Sequence, residues 1–427
     1  MVAIVRGWFS NALTFKYSAK FWYFFACVFI CTCFMLFQGG KLAFMLFFIM
    51  VMLSLYLWLG KWSGISQTTG SRVLLNLDKN LSVEAGTSIA VQINLTIPGF
   101  WPIPYVMLKD RLVRRNGTEL VFESSAVPDW KRRGSVEYIT KPLQRGYYHF
   151  ADVECATEDI FGLFKHKGSL SLYESFMVKP LTVPIKEWQQ FHQSFKGHHY
   201  NSTTTRALRE TTQINGVREY IYGDRLSRIH WNATAKTGTW KSKEFERESL
   251  PKTIIMVDRN RNNYKSKDEF ELAVSVAASL MEYGLQKELA MGLLSVGANA
   301  VFMEPLRAPS HYRVVNQHLI DIEADGQHSL LHILKDRARN FSQGCFFVVI
   351  TPQMDDTLMQ ALHWINHRQM NPCHILISNP SSSQQPMSLT RLAEAEDWLR
   401  NLRTRGMLAY AVKELQELPV VLGGKNR

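Results

Sequence analysis

From Val217 to Glu248 the chain reads VREYIYGDRLSRIHWNATAKTGTWKSKEFERE, the densest mixture of charge, aromatic rings and glycine in its 427 residues. Arg218, Arg225 and Arg228 offer planar guanidinium forks, and Glu219, Asp224, Glu244 and Glu246 offer the carboxylates that fit them. Mutual pairing would neutralise the set and hold neighbouring domains together. Groups left unpaired would instead receive an acidic segment, a phosphate or a partner loop, with Tyr220 and Trp231 supplying the aromatic area that dominates binding hot spots. An enzyme would use His230 as general base with Asp224 orienting it. The candidates for a partner-binding or interdomain signature are therefore Arg218, Tyr220, Gly223, Asp224, Arg228, His230 and Trp231. No serine elbow, Gly-x-x-x-x-Gly-Lys-Ser/Thr phosphate cradle or His-Glu-x-x-His metal motif occurs anywhere in the sequence.

The elements that must carry this stretch separate by pattern. Residues 1–20 mix Arg6, Lys16 and Lys20 with aromatic rings, as a juxtamembrane segment does. Two uncharged apolar runs follow, Phe21–Phe37 and Leu42–Leu59, split at Gly39-Gly40. Each is long enough to cross a bilayer, so residues 21–60 are expected to form a transmembrane helical hairpin. Lys61 and Arg72 after the second run, and Lys41 alone between the runs, predict a two-pass protein of the cell membrane. Its N-terminus and soluble domains would lie in the cytoplasm.

Residues 70–185 alternate apolar and polar positions in short stretches, among them Ile89–Leu95, Ser135–Ile139 and Tyr147–Phe150, with glycines between. That is the pattern of an immunoglobulin-like β-sandwich. Residues 186–250 hold a polar strap and the signature stretch; His198-His199 lacks partners at chelating spacing. From 251 to 427, buried-type strands alternate with amphipathic helices, predicting a doubly wound parallel α/β sheet and hence an α+β multidomain chain. In such sheets functional groups gather at the carboxyl ends of the strands, here Asp258 and Thr351. The six cysteines form neither a disulfide framework nor a zinc spacing. The net charge of +12 arrives without a nucleic-acid-binding motif, which favours lipid or protein partners and no nucleic acid.

Arg218-x-Tyr220-x-x-Gly223-Asp224, Arg228-x-His230-Trp231 and Lys243-Glu244-Phe245-Glu246 together resemble the signature of the family named domain of unknown function 58. Arg145-Gly146-Tyr147 and Asp159–Phe164 resemble two further elements of that family, the second with Ile160 where proline is common. The resemblance implies that the C-terminal domain is von Willebrand factor A-like. Metal-binding members of that fold end their first strand in Asp-x-Ser-x-Ser and hold magnesium with a later threonine. This chain has Asp258-Arg259-Asn260-Arg261-Asn262 and Thr351, in which asparagine carbonyls could face Mg2+ but two arginines intervene. An anion-accepting or structural loop is expected there, with a degenerate magnesium site (Asp258, Asn260, Asn262, Thr351) as the alternative. The resemblance also implies a genomic neighbourhood with a MoxR-type AAA+ ATPase and a transglutaminase-like membrane protein. The expected function is a membrane-anchored, non-enzymatic adaptor presenting a cytoplasmic surface to that ATPase. The alternative is a metal-dependent hydrolase or phosphate-binding enzyme using Asp258, Asn260 and His230.

Overall fold

Two apolar runs meeting at Gly39-Gly40, whose φ angles of 59° and 90° suit glycine alone, form helices α1 (Ala19–Gln38) and α2 (Gly40–Leu59). The computed structural model describes residues 19–75, 82–162, 165–188, 209–248, 252–378 and 389–423. Among the described residues α2 is the one helix long and apolar enough to cross a membrane; the shorter stretch Phe25–Gln38 of α1 is apolar too. The chain divides into two units, residues 1–178 and 179–427.

In the first unit, β1 (Thr69–Leu74), β3 (Ala90–Thr96) and β6 (Arg133–Ile139) form one antiparallel sheet. A second sheet contains β2 (Ser82–Glu84), β4 (Val106–Arg114), β5 (Glu119–Ala126), β7 (Gly146–Phe150), β8 (Val153–Glu158), β9 (Lys165–Leu170) and β10 (Ser175–Lys179), with β4 at its centre. Alternate residues of both sheets, including Ile93, Leu95, Leu108, Leu112, Val136 and Phe150, make one buried core. Arg72, Asp110 and Tyr138 form a polar network inside it. Asp110 on β4 accepts from Arg72 Nη2 on β1 (2.8 Å) and from the Tyr138 hydroxyl on β6 (2.5 Å), so one carboxylate ties the two sheets together. The Arg72 guanidinium also lies 4.0 Å over the Phe150 ring. Arg72 is thus a core residue of the sandwich rather than an exposed charge flanking the second apolar run. In the Asp159–Gly162 turn, Asp159 Oδ1 accepts from the Phe161 amide (2.9 Å) and Gly162 takes a φ of 64°. Leu163 and Phe164, the last residues of the Asp159–Phe164 element, lie outside the described residues.

In the second unit, β13 (Thr253–Asp258), β14 (Met291–Val296), β15 (Val301–Leu306), β16 (Phe346–Thr351), β17 (Asn371–Ile377) and β18 (Leu408–Val412) form a sheet of order β15-β14-β13-β16-β17-β18. The central strands are apolar and buried on both faces. Ile255, Val257, Val348 and Ile350 face the helix α4 (Lys267–Gln286) side, together with Tyr312 and Val315 of α5 (Pro309–Asp321). Ile254, Met256, Phe347 and Val349 face the other side, under α6 (Leu330–Asp336), α7 (Asp356–His367) and α8 (Leu389–Thr404). The expected double winding is present. One strand departs from an all-parallel sheet: β15 runs antiparallel to β14, because residues 297–300 are too few for a crossover.

The sandwich was expected to extend to residue 185, but Ile185 and Trp188 are buried in the α/β core. Trp188 packs edge-on against Phe346 and donates from Nε1 to the Tyr410 hydroxyl (3.2 Å). The remaining strap, with His198-His199, falls in residues 189–208, outside the described residues.

Candidate functional site

The signature stretch forms a two-stranded antiparallel hairpin, β11 (Arg209–Glu219) with β12 (Lys241–Glu248), in register Arg218↔Ser242 and Glu219↔Lys241. Between the strands come a tight turn at Tyr222-Gly223, a single 3-10 turn at Leu226–Arg228 and the short helix α3 (Trp231–Thr237). Gly223 has a φ of 109°, which only glycine adopts without strain.

Arg218 Nη2 donates to Asp224 Oδ1 at 2.7 Å, the Ile221 amide donates to Oδ2 at 3.2 Å, and the Tyr220 hydroxyl donates to the Asp224 carbonyl at 3.2 Å. The Arg218 hydrogen bond, aided by the Ile221 amide and the nearby charge of Arg228, holds the Asp224 carboxyl below the usual carboxylate range. Lys241 pairs with Glu219 at 3.0 Å. The side chains of Glu244 and Glu246 lie outside those described.

The structure separates Asp224 from the role of orienting His230. His230 is the N-cap of α3, and its Nδ1 accepts from the Ala233 amide at 3.1 Å. That nitrogen is committed to capping, and both Asp224 oxygens are committed within the turn. Such an arrangement builds a rigid loop.

What the loop displays is aromatic. Tyr222 is 100 % exposed, Trp231 64 % and Trp240 53 %, with Ile221 and Leu226 exposed beside them in sequence. Trp240 links the rings, with its centroid 5.7 Å from Tyr220 and 6.3 Å from Trp231. Trp231 and Tyr220 are candidates by residue type, whereas the exposure of Trp240 and Tyr222 follows from the hairpin rather than from any motif.

The Asp258 loop is a different kind of object. Asp258 is fully buried; its Oδ1 accepts from the Asn260 amide (2.9 Å), and its Oδ2 from Asn263 Nδ2 (2.7 Å) and Thr351 Oγ1 (2.8 Å). Burial raises its carboxyl above the ordinary value, and the three donors act against that rise. Thr351 and Asp258 are thus brought together as expected. Asn260 and Asn262 are not turned to the same point: Asn260 Oδ1 accepts from the Asn262 amide at 3.1 Å and starts a 3-10 turn. Asn263, absent from the sequence-stretch candidates, supplies the second side-chain donor. Arg259 reaches away from Asp258 to Asp325 (2.6 Å), the Glu323 carbonyl (2.9 Å) and Ser295 (3.2 Å). As a donor set for magnesium these residues fit poorly, since Asp258 Oδ2 already accepts from two protein donors and Asn260 Oδ1 is turned to the Asn262 amide.

Two buried titratable groups lie behind this loop. His374 Nδ1 accepts from Trp398 Nε1 (3.2 Å), so its Nε2 carries the proton and donates to the Thr351 carbonyl (3.3 Å). Burial pushes His374 down to about 4. Glu269, at the start of α4, accepts from the Lys265 amide (2.8 Å), and burial pushes its carboxyl up to about 7. Between the ordinary carboxyl value and pH 7 the unfolded chain therefore releases a proton that the folded chain keeps. Stability from Glu269 is fullest in acid and falls as pH rises through 7. Glu269→Gln is expected to be more stable than wild type at pH 8, by roughly 2–3 kcal/mol, and to lose that advantage by pH 4.5. His374 acts in the opposite sense, losing stability as pH falls from about 6.5 to 4, so the measurement is the difference between variant and wild-type denaturation midpoints at each pH. A difference constant from pH 4.5 to 8 would show that Glu269 ionises normally.

A family model described as "Protein of unknown function DUF58" matches residues 216–398, which spans the signature hairpin and most of the α/β sheet. The chain is similar to the "Uncharacterized protein YeaD" of Bacillus subtilis (strain 168), 25 % identical over 374 residues that make up 83 % of this chain and 85 % of that one. Among solved structures it is similar to an aerotolerance-related membrane protein from Bacteroides fragilis, at 13 % identity and a TM-score of 0.29 over 40 % of this chain and 96 % of that one. Proximal thread matrix protein 1 from the mussel byssus is also similar, at 13 % identity and a TM-score of 0.28 over 41 % of this chain and 46 % of that one.

Proposed function

We propose that this chain, whose residues 216–398 match the DUF58 family model, is a membrane-anchored, non-enzymatic adaptor whose signature hairpin docks a partner protein. The observation that carries this reading is the exposed ring cluster of Tyr222, Trp231 and Trp240 on a loop fixed from beneath by Arg218, Asp224 and the His230 cap. Rigid aromatic rings lose little conformational entropy on binding, and such groups dominate protein interfaces. The commitment of His230 Nδ1 and of both Asp258 oxygens to protein donors favours docking over hydrolysis. The α/β unit is A-type on this reading, and the partner is a MoxR-type AAA+ ATPase, with a transglutaminase-like membrane protein in the same assembly.

Crosslinking with mass spectrometry in native membranes tests the docking. Wild type is expected to give a reproducible crosslinked partner that Trp231→Ala, Tyr222→Ala or both together remove, each hot-spot ring being worth about 2 kcal/mol or some 30-fold in affinity. These side chains are exposed, so their loss leaves the fold intact. A partner retained undiminished by the double variant would overturn the docking role of the hairpin.

On the same reading α1 and α2 both cross the cell membrane and the two soluble units lie in the cytoplasm, since positive residues flank the pair and only Lys41 lies between. Alkaline phosphatase fused after residue 70 is expected to be inactive, and fused at the Gly39-Gly40 turn active. The reverse pattern would place the soluble units on the other side.

A further inference from the structure

The registers of the sandwich gather three of its turns at one end. Val106 of β4 lies opposite Ala126 of β5, Met107 opposite Ala156 of β8, and Thr96 of β3 opposite Arg133 of β6. The loops that leave these positions, residues 97–105, 127–132 and 159–162, therefore share one edge of the domain. Thr69 of β1 pairs with Thr96, so the chain arriving from α2 enters at that same edge.

Contacts confirm the convergence. Tyr56 in the last turns of α2 has its ring 5.5 Å from Trp101 and 6.0 Å from Phe161, and its hydroxyl accepts from the Ile160 amide at 3.4 Å. Arg132 draws in the other two segments: Nε donates to the Ile97 carbonyl at 3.0 Å, Nη2 to Pro98 at 3.1 Å, and further bonds reach the Trp101 and Ser63 carbonyls. Four carbonyls on one guanidinium fix the loops against the segment that follows the helix.

The tips so fixed are apolar. Phe100 is 69 % exposed, Ile160 72 %, Phe161 60 %, and Trp130 wholly so. Exposed Lys131 and Arg133 follow Trp130, and exposed Asp129 precedes it. Trp58, in the last turn of α2, is exposed as well. Aromatic rings with adjoining cations at the end of an apolar helix are the composition of the membrane–water boundary, where the ring body meets acyl chains and the polar edge meets headgroups. A soluble domain otherwise gains nothing by holding four large apolar tips in water.

We propose that these three loops form an apron that inserts into the headgroup boundary of the same bilayer crossed by α2, seating the sandwich on the membrane surface instead of leaving it tethered by the helix alone. The occupant of the apolar edge is lipid. The inference rests on the membrane reading of α2.

Spin labels in the full chain, reconstituted in nanodiscs of phosphatidylcholine and phosphatidylglycerol, test both. Cys27, Cys31 and Cys33 are replaced by alanine, while Cys155, Cys345 and Cys373 are buried and stay. Single labels are placed through Phe100→Cys, Trp130→Cys and Phe161→Cys, with Phe48→Cys in α2 as the marker of the span. Tyr173→Cys, beyond the far end of β9, marks water. The three apron labels are expected to be several-fold more accessible to oxygen than to a nickel chelate, as at Phe48, with Tyr173 reversed. Apron labels that match Tyr173 while Phe48 reads deep overturn the apron and leave the span standing. A Phe48 label that reads as water sinks the span and the apron with it. Dipolar broadening at the apron that vanishes on dilution with unlabelled protein would assign the edge to a second copy and also overturn lipid as the occupant.

Discussion

Asp110→Ala is expected to cost the sandwich about 3–5 kcal/mol, the range found when one partner of a buried ion pair is removed. The side chains of Arg72 and Asp110 are only 1 % and 2 % exposed. Without the carboxylate, the guanidinium on β1 keeps the Leu172 carbonyl and the Phe150 ring but loses its counter-charge, and the Tyr138 hydroxyl loses its acceptor. A double replacement, Arg72→Met with Asp110→Leu, is expected to cost less than Asp110→Ala alone, since no charge is then stranded. Urea denaturation of the detergent-solubilised protein, followed by a probe in the sandwich, measures both. Equal stability of Asp110→Ala and wild type would show that the pair is spectator to the core.

Gly64→Ala should be comparably damaging for a different reason. Gly64 has a φ of 74°, and a β-carbon placed there would lie 1.8 Å from the Pro98 carbonyl oxygen and 2.8 Å from its carbon. Both are backbone atoms, so a rotamer change cannot relieve the overlap. Left-handed strain alone costs about 1–3 kcal/mol, and displacement of the Pro98 loop adds to it. Gly86 is the control, with a φ of 86° and no heavy atom within 4 Å of an added β-carbon. Gly86→Ala is expected to show the strain alone. If thermal unfolding cannot separate the two variants, the close packing of Pro98 on the segment after α2 contributes nothing.

The readable parts of this chain were those written in local pattern. Strands β13 and β16 hold uninterrupted apolar runs at Ile254–Val257 and Phe346–Ile350, β17 ends in Ile375–Ile377, and α4 and α7 follow at helical spacing, so the double winding was legible. The strand β15 was not, because Val301–Leu306 is only partly buried and contains Pro305. The stretch 329–340, whose pattern reads as one helix, is a short α6 followed by a separate 3-10 turn at Ala338–Asn340, the break falling at Arg337. The Arg72–Asp110–Tyr138 network lay beyond reach for another reason: its members come from three strands of two sheets, and only the pairing brings them together. Within the signature stretch the residue types were informative but their roles were not. Arg218 and Asp224 do pair, whereas His230, whose chemistry suggests a base, spends Nδ1 on a helix cap.

The burial of Trp188 also decides how a mechanical load would travel. A pull on the N-terminal helices passes through the sandwich and leaves it at Lys179, and within ten residues of chain the Trp188 ring is clamped between Phe346, Tyr283 and the Tyr410 hydroxyl. Tension is therefore delivered into the central strands before it reaches the strap or the hairpin.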